Sequence, residues 1–338
     1  MNYSHRFWLY GPVSLFALLM LAVVTYWFVQ SAAFARKLDA LNGHEIAPGI
    51  TLHFQQKSMG GFPFRLDTEL DGLRVTIATS HGPAEWDAEH FAMHSLTYGR
   101  TQYVFEAAGQ QVIRLHKDSG ALRTYHFLPG LLRGSMIGHG GELGQFDLEA
   151  LAVDSGDISA SQVQFHLRKD PKIDGVDIVA FGNGVHIAQA LHPAFGPDVK
   201  SFRVEAMVSP GSSFDGLLKG HKDWRAAAED WRARHGGVLV KNLQLEWNAM
   251  TIAGKGALTV DGLHRPMGAL HVSVKSWQSW LSGAKQLILS GANNGLAPAL
   301  LSGVENDHAN APLNTTLTFQ DGVAYVGSVP ADMLSPLY

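Results

Sequence analysis

Cysteine is absent from all 338 residues. That excludes thiol nucleophiles, thiolate metal sites and disulfides. An exported chain either pairs its cysteines or avoids them, so the absence is compatible with an oxidising compartment. A basic excess is missing too. Lys and Arg number 26 against 30 Asp and Glu, for a formal net charge of −4. A nucleic-acid binder would show a basic patch or a high pI, so the balance argues against nucleic acid as a partner. Catalytic motifs are also missing. No serine lies in G-x-S-x-G, and neither G-x-x-x-x-G-K-[ST] nor G-x-G-x-x-G occurs. Acidic residues stand singly and give no general-acid pair. The sequence therefore assigns no catalytic residue, no cofactor and no metal site, and an enzyme is the less favoured class.

The most informative absence is local. Residues 7–35 contain no Lys, Arg, Asp, Glu or His and are dense in Leu, Val, Ala and Phe. At about 1.5 Å rise per residue, the stretch 12–30 can cross a hydrocarbon layer roughly 30 Å thick. Two readings of this segment stand. As an uncleaved signal-anchor, it carries Trp8 and Tyr10 at one end and Tyr26 and Trp27 near the other, as interfacial aromatics would sit. As a signal peptide, it has Arg6 before it and an A-x-A-like site at Ala33-Phe34-Ala35. The apolar stretch is longer than the roughly 7–15 residues of an ordinary signal core, which favours the anchor. Flanking charge barely discriminates, with Arg6 set against Arg36 and Lys37. Large C-terminal domains translocate largely regardless of such charges. The expectation is a transmembrane segment at residues 1–35 and an outward-facing domain at 36–338.

That domain shows a period of two. Ile50, Leu52 and Phe54 alternate with polar residues, as do Phe64, Leu66, Thr68 and Leu70, and then Leu73, Val75 and Ile77 after Asp71-Gly72. The last two runs predict a hairpin closed at Asp-Gly. Alternation returns around Phe165, Ile178, Val204, Leu245, Val272 and Leu317, and Asp-Gly recurs at 174, 215, 261 and 321. Strands apolar on one face and polar on the other indicate antiparallel sheet. Helix signals are few. After 34–41, stopped by Asn42-Gly43, an amphipathic helix is expected over 223–235, with Trp224, Ala227, Ala228 and Trp231 on one face. Further candidates lie at 276–289 and 296–301. The proline-bearing breaks at 169–174 and 194–198 are short. The domain reads as one unit, with two halves dividing near 170–200 as the alternative. The fold class expected is mainly β: a transmembrane helix followed by an extended curved antiparallel sheet with a few short helices.

Some residues invite a site. His90 and His94 share a face beside Glu89, but Phe91 stands where a zincin motif needs Glu. His139 with Glu142, and His186 with His192, lack a third ligand at metal spacing. Trp224, Trp231, Trp277 and Trp280 suit a hydrophobic groove or, more simply, a core. The glycines of Gly182-Asn183-Gly184 and Gly254-Lys255-Gly256 read as turns or bulges between strands.

The most distinctive run is Gly60-Gly61-Phe62-Pro63-Phe64-Arg65-Leu66. Two glycines and a proline lead into a strand. Spacing by two places Phe62, Phe64 and Leu66 on one face and Arg65 on the other. Phe64 and Leu66 are expected to be buried and Arg65 to pair with a carboxylate, with the run either opening a groove or simply starting the first hairpin. An apolar helix followed by this run resembles a Gram-negative envelope family catalogued as domain of unknown function 2125. The resemblance extends to Gly254-Lys255-Gly256-Ala257-Leu258-Thr259-Val260-Asp261, Arg265-Pro266-Met267-Gly268-Ala269-Leu270 and the run from Phe319 to Pro330. More distantly the chain is similar to AsmA-like envelope proteins, which implies a β groove anchored in the inner membrane. The functional expectation is a non-enzymatic periplasmic protein whose apolar face binds or conveys lipid. A scaffold pairing its edge with another envelope protein is the alternative, and an envelope hydrolase a weaker one.

Overall fold

The computed structural model describes residues 4–79, 82–98, 101–116, 120–139, 142–188, 196–217, 221–277 and 312–338. A 38-residue helix, α1 (Ser4–Leu41), opens the chain. Gly43 at φ +78° then reverses the backbone, as the Asn42-Gly43 stop requires. Asn42 bridges helix and sheet: its amide donates to the Phe54 carbonyl and accepts from the Phe54 N–H, at 3.1 and 2.9 Å.

Eighteen strands follow among the described residues. The first nine are β1 (His44–Ala47), β2 (Ile50–His53), β3 (Gln56–Gly60), β4 (Arg65–Ile77), β5 (Ala84–Leu96), β6 (Gln102–His116), β7 (Leu122–Phe127), β8 (Leu131–His139) and β9 (Glu142–Asp154). The rest are β10 (Ile158–Lys169), β11 (Val176–Ile187), β12 (Asp198–Ser209), β13 (Gly237–Trp247), β14 (Met250–Val260), β15 (Pro266–Lys275), β16 (Leu313–Gln320), β17 (Val323–Val326) and β18 (Val329–Met333). They form one curved antiparallel meander in chain order. β2 and β3 share one edge of β4, and β7 and β8 share one edge of β6. β10, β11 and β12 pair in succession across the 170–200 region. A single further α-helix, α2 (Trp224–Ala233), lies among the described residues, capped by Asp223, whose carboxylate accepts the Ala226 N–H. The helices expected at 276–289 and 296–301 lie essentially outside the described residues.

Two local expectations need correction. Asp71-Gly72 does not close a hairpin, because β4 runs unbroken through it. The apolar phase shifts there from even to odd positions, yet Leu70 and Leu73 enter the same core. Gly72 at φ +61° lies at the change of phase, while the register of β4 with β5 is the same on both sides of it. Asp321-Gly322, with φ of 53° and 77°, does form a tight hairpin, joining β16 to β17. The second correction concerns Gly182, Gly184, Gly254 and Gly256, which lie within β11 and β14 rather than between strands.

Candidate functional site

Helix α1 is not a detached stalk. Trp27, Ser31 and Leu38 are buried, and Phe34 and Leu38 join a cluster with Phe54, Leu70, Leu73, Ala88 and Ala107. Spacings of four, three and four residues place the stripe Trp27, Ser31, Phe34, Leu38 on one helix side. Polar ties reinforce it. Trp27 Nε1 donates to the Arg65 carbonyl at 2.7 Å and Tyr26 Oη to the Thr97 carbonyl at 3.1 Å. Lys57 Nζ donates to the Ala35 carbonyl at 2.6 Å and pairs with Asp39. The helix thus passes through residues 35 and 36 without a break, and both sides of that point belong to the sheet's core. Sequence periodicity hides this stripe, because the surrounding helix is apolar all round.

The Gly-Phe-Pro-Phe-Arg-Leu run meets the helix here. Gly60 ends β3, and Gly61 at φ +89° turns the chain so that the Arg65 N–H reaches the Gly61 carbonyl at 2.8 Å. A Cβ at Gly61 would lie 2.8 Å from the Arg65 carbonyl carbon, so the turn requires glycine. Pro63 lies in the same turn. Leu66 is 1% exposed, and Arg65 pairs with Asp67 at 2.8 Å, both as expected. Burial raises the Asp67 pKa, but hydrogen bonds from His94 and Arg65 outweigh it, and the carboxyl is held below its ordinary value. Phe64 contradicts expectation at 58% exposed. Residues 62–64 form a turn, and the strand's period of two begins only at Arg65. Phe62, half exposed, meets Trp27 edge to face with ring centroids 5.6 Å apart. Leu66→Ala is therefore expected to cost about 2–5 kcal/mol. Phe64→Ala should stay within about 0.5 kcal/mol, as exposed substitutions do. Equal shifts of the urea midpoint for the two variants would contradict this placement.

Beyond the helix, sheet register reveals a feature the sequence shows only strand by strand. One ladder row runs Met59, Thr68, Met93, Phe105, Gly134 and Leu148. It continues through Phe165, Ala180, Val204, Leu243, Gly254, Val272 and Thr315. A parallel row holds Ala150, Val163, Gly182, Phe202, Leu245, Ile252, Val274 and Leu313. A third holds Met136, Phe146, Leu167, Ile178, Ala206, Val240, Gly256 and Leu270, ending on Leu317 and Val326. These positions share a face, because alternate residues of a strand point the same way. Glycine and alanine recur where neighbours are large; a Cβ on Gly182 would meet the Phe202 ring at 2.5 Å.

The opposite face is polar. His166 and Asp147 lie 2.7 Å apart, Gln164 donates to Glu149 at 2.6 Å, and Arg203 covers the Phe181 ring. Among the described residues, α1 covers the apolar face only near β3–β8, and no helix lies across the rows beyond. Most apolar side chains of β9–β12 are only half-buried. α2 packs at the sheet's end: Trp231 is buried and its Nε1 donates to the Ser209 carbonyl at 2.9 Å, whereas Trp224 is exposed and stacks on Phe214. Glu229 of α2, bonded by Arg232 and His264, has its pKa held down to about 2.

Four histidines, at 90, 94, 166 and 186, pair with aspartates. His90 pairs with Asp71 at 2.7 Å, which raises the imidazole pKa; His94 pairs with Asp67 and His186 with Asp198, both at 2.8 Å. Among the described residues no three metal-binding side chains gather. The His139 side chain, His192 and Trp280 lie outside the described residues. Both outermost strands are guarded against a partner strand: β18 contains Pro330, and β1 has four residues before Pro48.

These features define a class: a single-layer antiparallel sheet, apolar along one face, docked on a helix long and apolar enough to span a membrane. Residues 27–333 match the family described as "Uncharacterized protein conserved in bacteria (DUF2125)", and the chain belongs to that family. The match starts at Trp27, the first buried side chain among those described in α1, so the docked part of the helix lies within the family domain. No curated protein matches the chain.

Proposed function

We propose that the protein is anchored in the inner membrane by α1, with its sheet in the periplasm, and that the apolar face holds or conveys lipid acyl chains. The carrying observation is the set of three rows, apolar without interruption from β9 to β15, backed by a polar face. An isolated apolar patch of that extent on a soluble protein marks a binding surface. Each methylene laid along it is shielded from water, up to about 0.8 kcal/mol for one fully buried, by the same driving force that holds a tail in the bilayer. The absence of catalytic motifs and the distant AsmA-like resemblance point to the same non-enzymatic role, the latter by analogy of fold alone. The guarded edge strands weigh against a scaffold working by edge pairing.

The test uses a photoreactive phenylalanine analogue incorporated in cells at Phe165 and Leu245, on the apolar face, and at Gln164 and Gln244, on the other. Lipid-mass adducts should form at the first two positions and not at the second two. Protein adducts alone at Phe165 and Leu245 would replace the lipid reading with a protein-binding one.

A further inference from the structure

Four exposed apolar side chains crowd the point where α1 leaves the sheet. Phe62 and Phe64 project from the glycine turn, and Leu96 and Tyr98 from the end of β5; Tyr98 is 59% exposed. The two loops are tied together, since the Thr97 N–H and hydroxyl both donate to the Phe64 carbonyl at 3.0 Å. Each is tied to the helix as well: Tyr26 to the Thr97 carbonyl, Trp27 to the Arg65 carbonyl, and the Trp27 ring to Phe62. Their level along the helix is thereby fixed. From Phe7, just past Arg6, to Tyr26 the helix rises roughly 28 Å at 1.5 Å per residue, close to the roughly 30 Å of a bilayer's hydrocarbon core. Between Val13 and Val29 its large side chains are almost all exposed. The hydrocarbon boundary therefore falls at Tyr26 and Trp27, the level at which the collar projects.

We infer that this collar, Phe62, Phe64, Leu96 and Tyr98, lies in the membrane interface as a second contact with the bilayer, fixing the sheet against the leaflet surface. The inference rests on the anchor reading proposed above. Tyr settles at headgroup depth, and Phe and Leu projecting from an interfacial surface bury themselves at the headgroup–acyl boundary. Arg65, paired with Asp67 just behind them, sits where headgroups supply polar partners. The same end of β4 carries Leu66, and its neighbours across the sheet start the third apolar row. The acyl-binding face thus begins at the bilayer, so a lipid tail reaches it without crossing water.

The lack of native cysteine makes the test clean. Single variants Phe64→Cys, Tyr98→Cys, Ile77→Cys and Leu18→Cys of the full chain are labelled with an environment-sensitive nitrobenzoxadiazole. They are reconstituted into vesicles of phosphatidylethanolamine and phosphatidylglycerol. Ile77 is an exposed apolar residue at the far end of β4, and Leu18 lies mid-helix. Nitroxide-bearing lipid should quench positions 64 and 98 several-fold more than position 77, while aqueous iodide does the reverse. Quenching at 18 with 64 and 98 behaving like 77 would overturn the collar and leave the anchor standing. Failure of lipid quenching at 18 would overturn both.

Discussion

A chain beginning at Arg36 is expected to unfold at much lower urea than one beginning at Tyr26, with a loss of about 4 kcal/mol or more. The ten residues between these starts supply Trp27, Ser31 and Phe34 to the helix–sheet contact. Truncating a buried Trp or Phe ordinarily costs about 3–5 kcal/mol. Their removal also strips the Arg65 carbonyl of its indole donor and Lys57 of the Ala35 carbonyl. Leu70, Leu73 and Ala88 would then face water across a gap. The same argument bears on processing. Cleavage after Ala35 would remove part of the domain's core, so the mature protein is expected to keep residues 1–35, which N-terminal sequencing of membrane-extracted protein reads directly. Coincident unfolding of the two chains would show that the helix contributes no stability and would reopen the signal-peptide reading.

Gly256→Ala is expected to destabilise the sheet by about 3 kcal/mol, at the upper end of overpacking costs. A Cβ there would overlap the Ala269 carbonyl oxygen and crowd the Leu270 backbone. Those atoms belong to the neighbouring strand, so relief requires β14 and β15 to part where Gly256 faces Leu270. Gly268 lies on the same pair of strands and meets the Ala257 carbonyl in the same way. The paired close approaches explain why Gly-Lys-Gly and Met-Gly-Ala stand in these two strands. Gly262 makes the control: nothing lies within 4 Å of a Cβ placed there. Gly262→Ala should leave the urea midpoint unchanged. A Gly256→Ala protein as stable as Gly262→Ala would mean that the strands are not this close in solution.

Strand alternation made most of the sheet legible, since each strand has one wet face. What alternation cannot report is which strand end joins which, or how a phase change is absorbed. At Gly72 a hairpin and a left-handed glycine inside one strand both exchange even for odd positions, and the unbroken pairing of β4 with β5 excludes the hairpin. At Phe64 the alternation of Leu66, Thr68 and Leu70 does not continue, because residues 62–64 turn beside Gly61 and the strand starts at Arg65. The docked stripe on α1 lay hidden because Leu, Val and Phe fill every side of that helix. By contrast, α2 was readable: its polar residues outline Ala227, Ala228 and Trp231, and His235-Gly236-Gly237 ends it. The continuous apolar face emerged only when register aligned the separate strands, which no local window contains.

The strand order carries a consequence for how the chain is made. Nearly every pairing joins neighbours along the polypeptide, with long connections only before β13 and β16, so the loop-closure cost that slows most β proteins is small here. With α1 held in place, β2–β6 can assemble on it and each later strand can add to the exposed edge as it appears. The nearest-neighbour logic of repeat proteins then applies, in which growth propagates outward from a nucleus. The anchored end would be the seed of the molecule, and the Pro330-bearing strand its natural terminator.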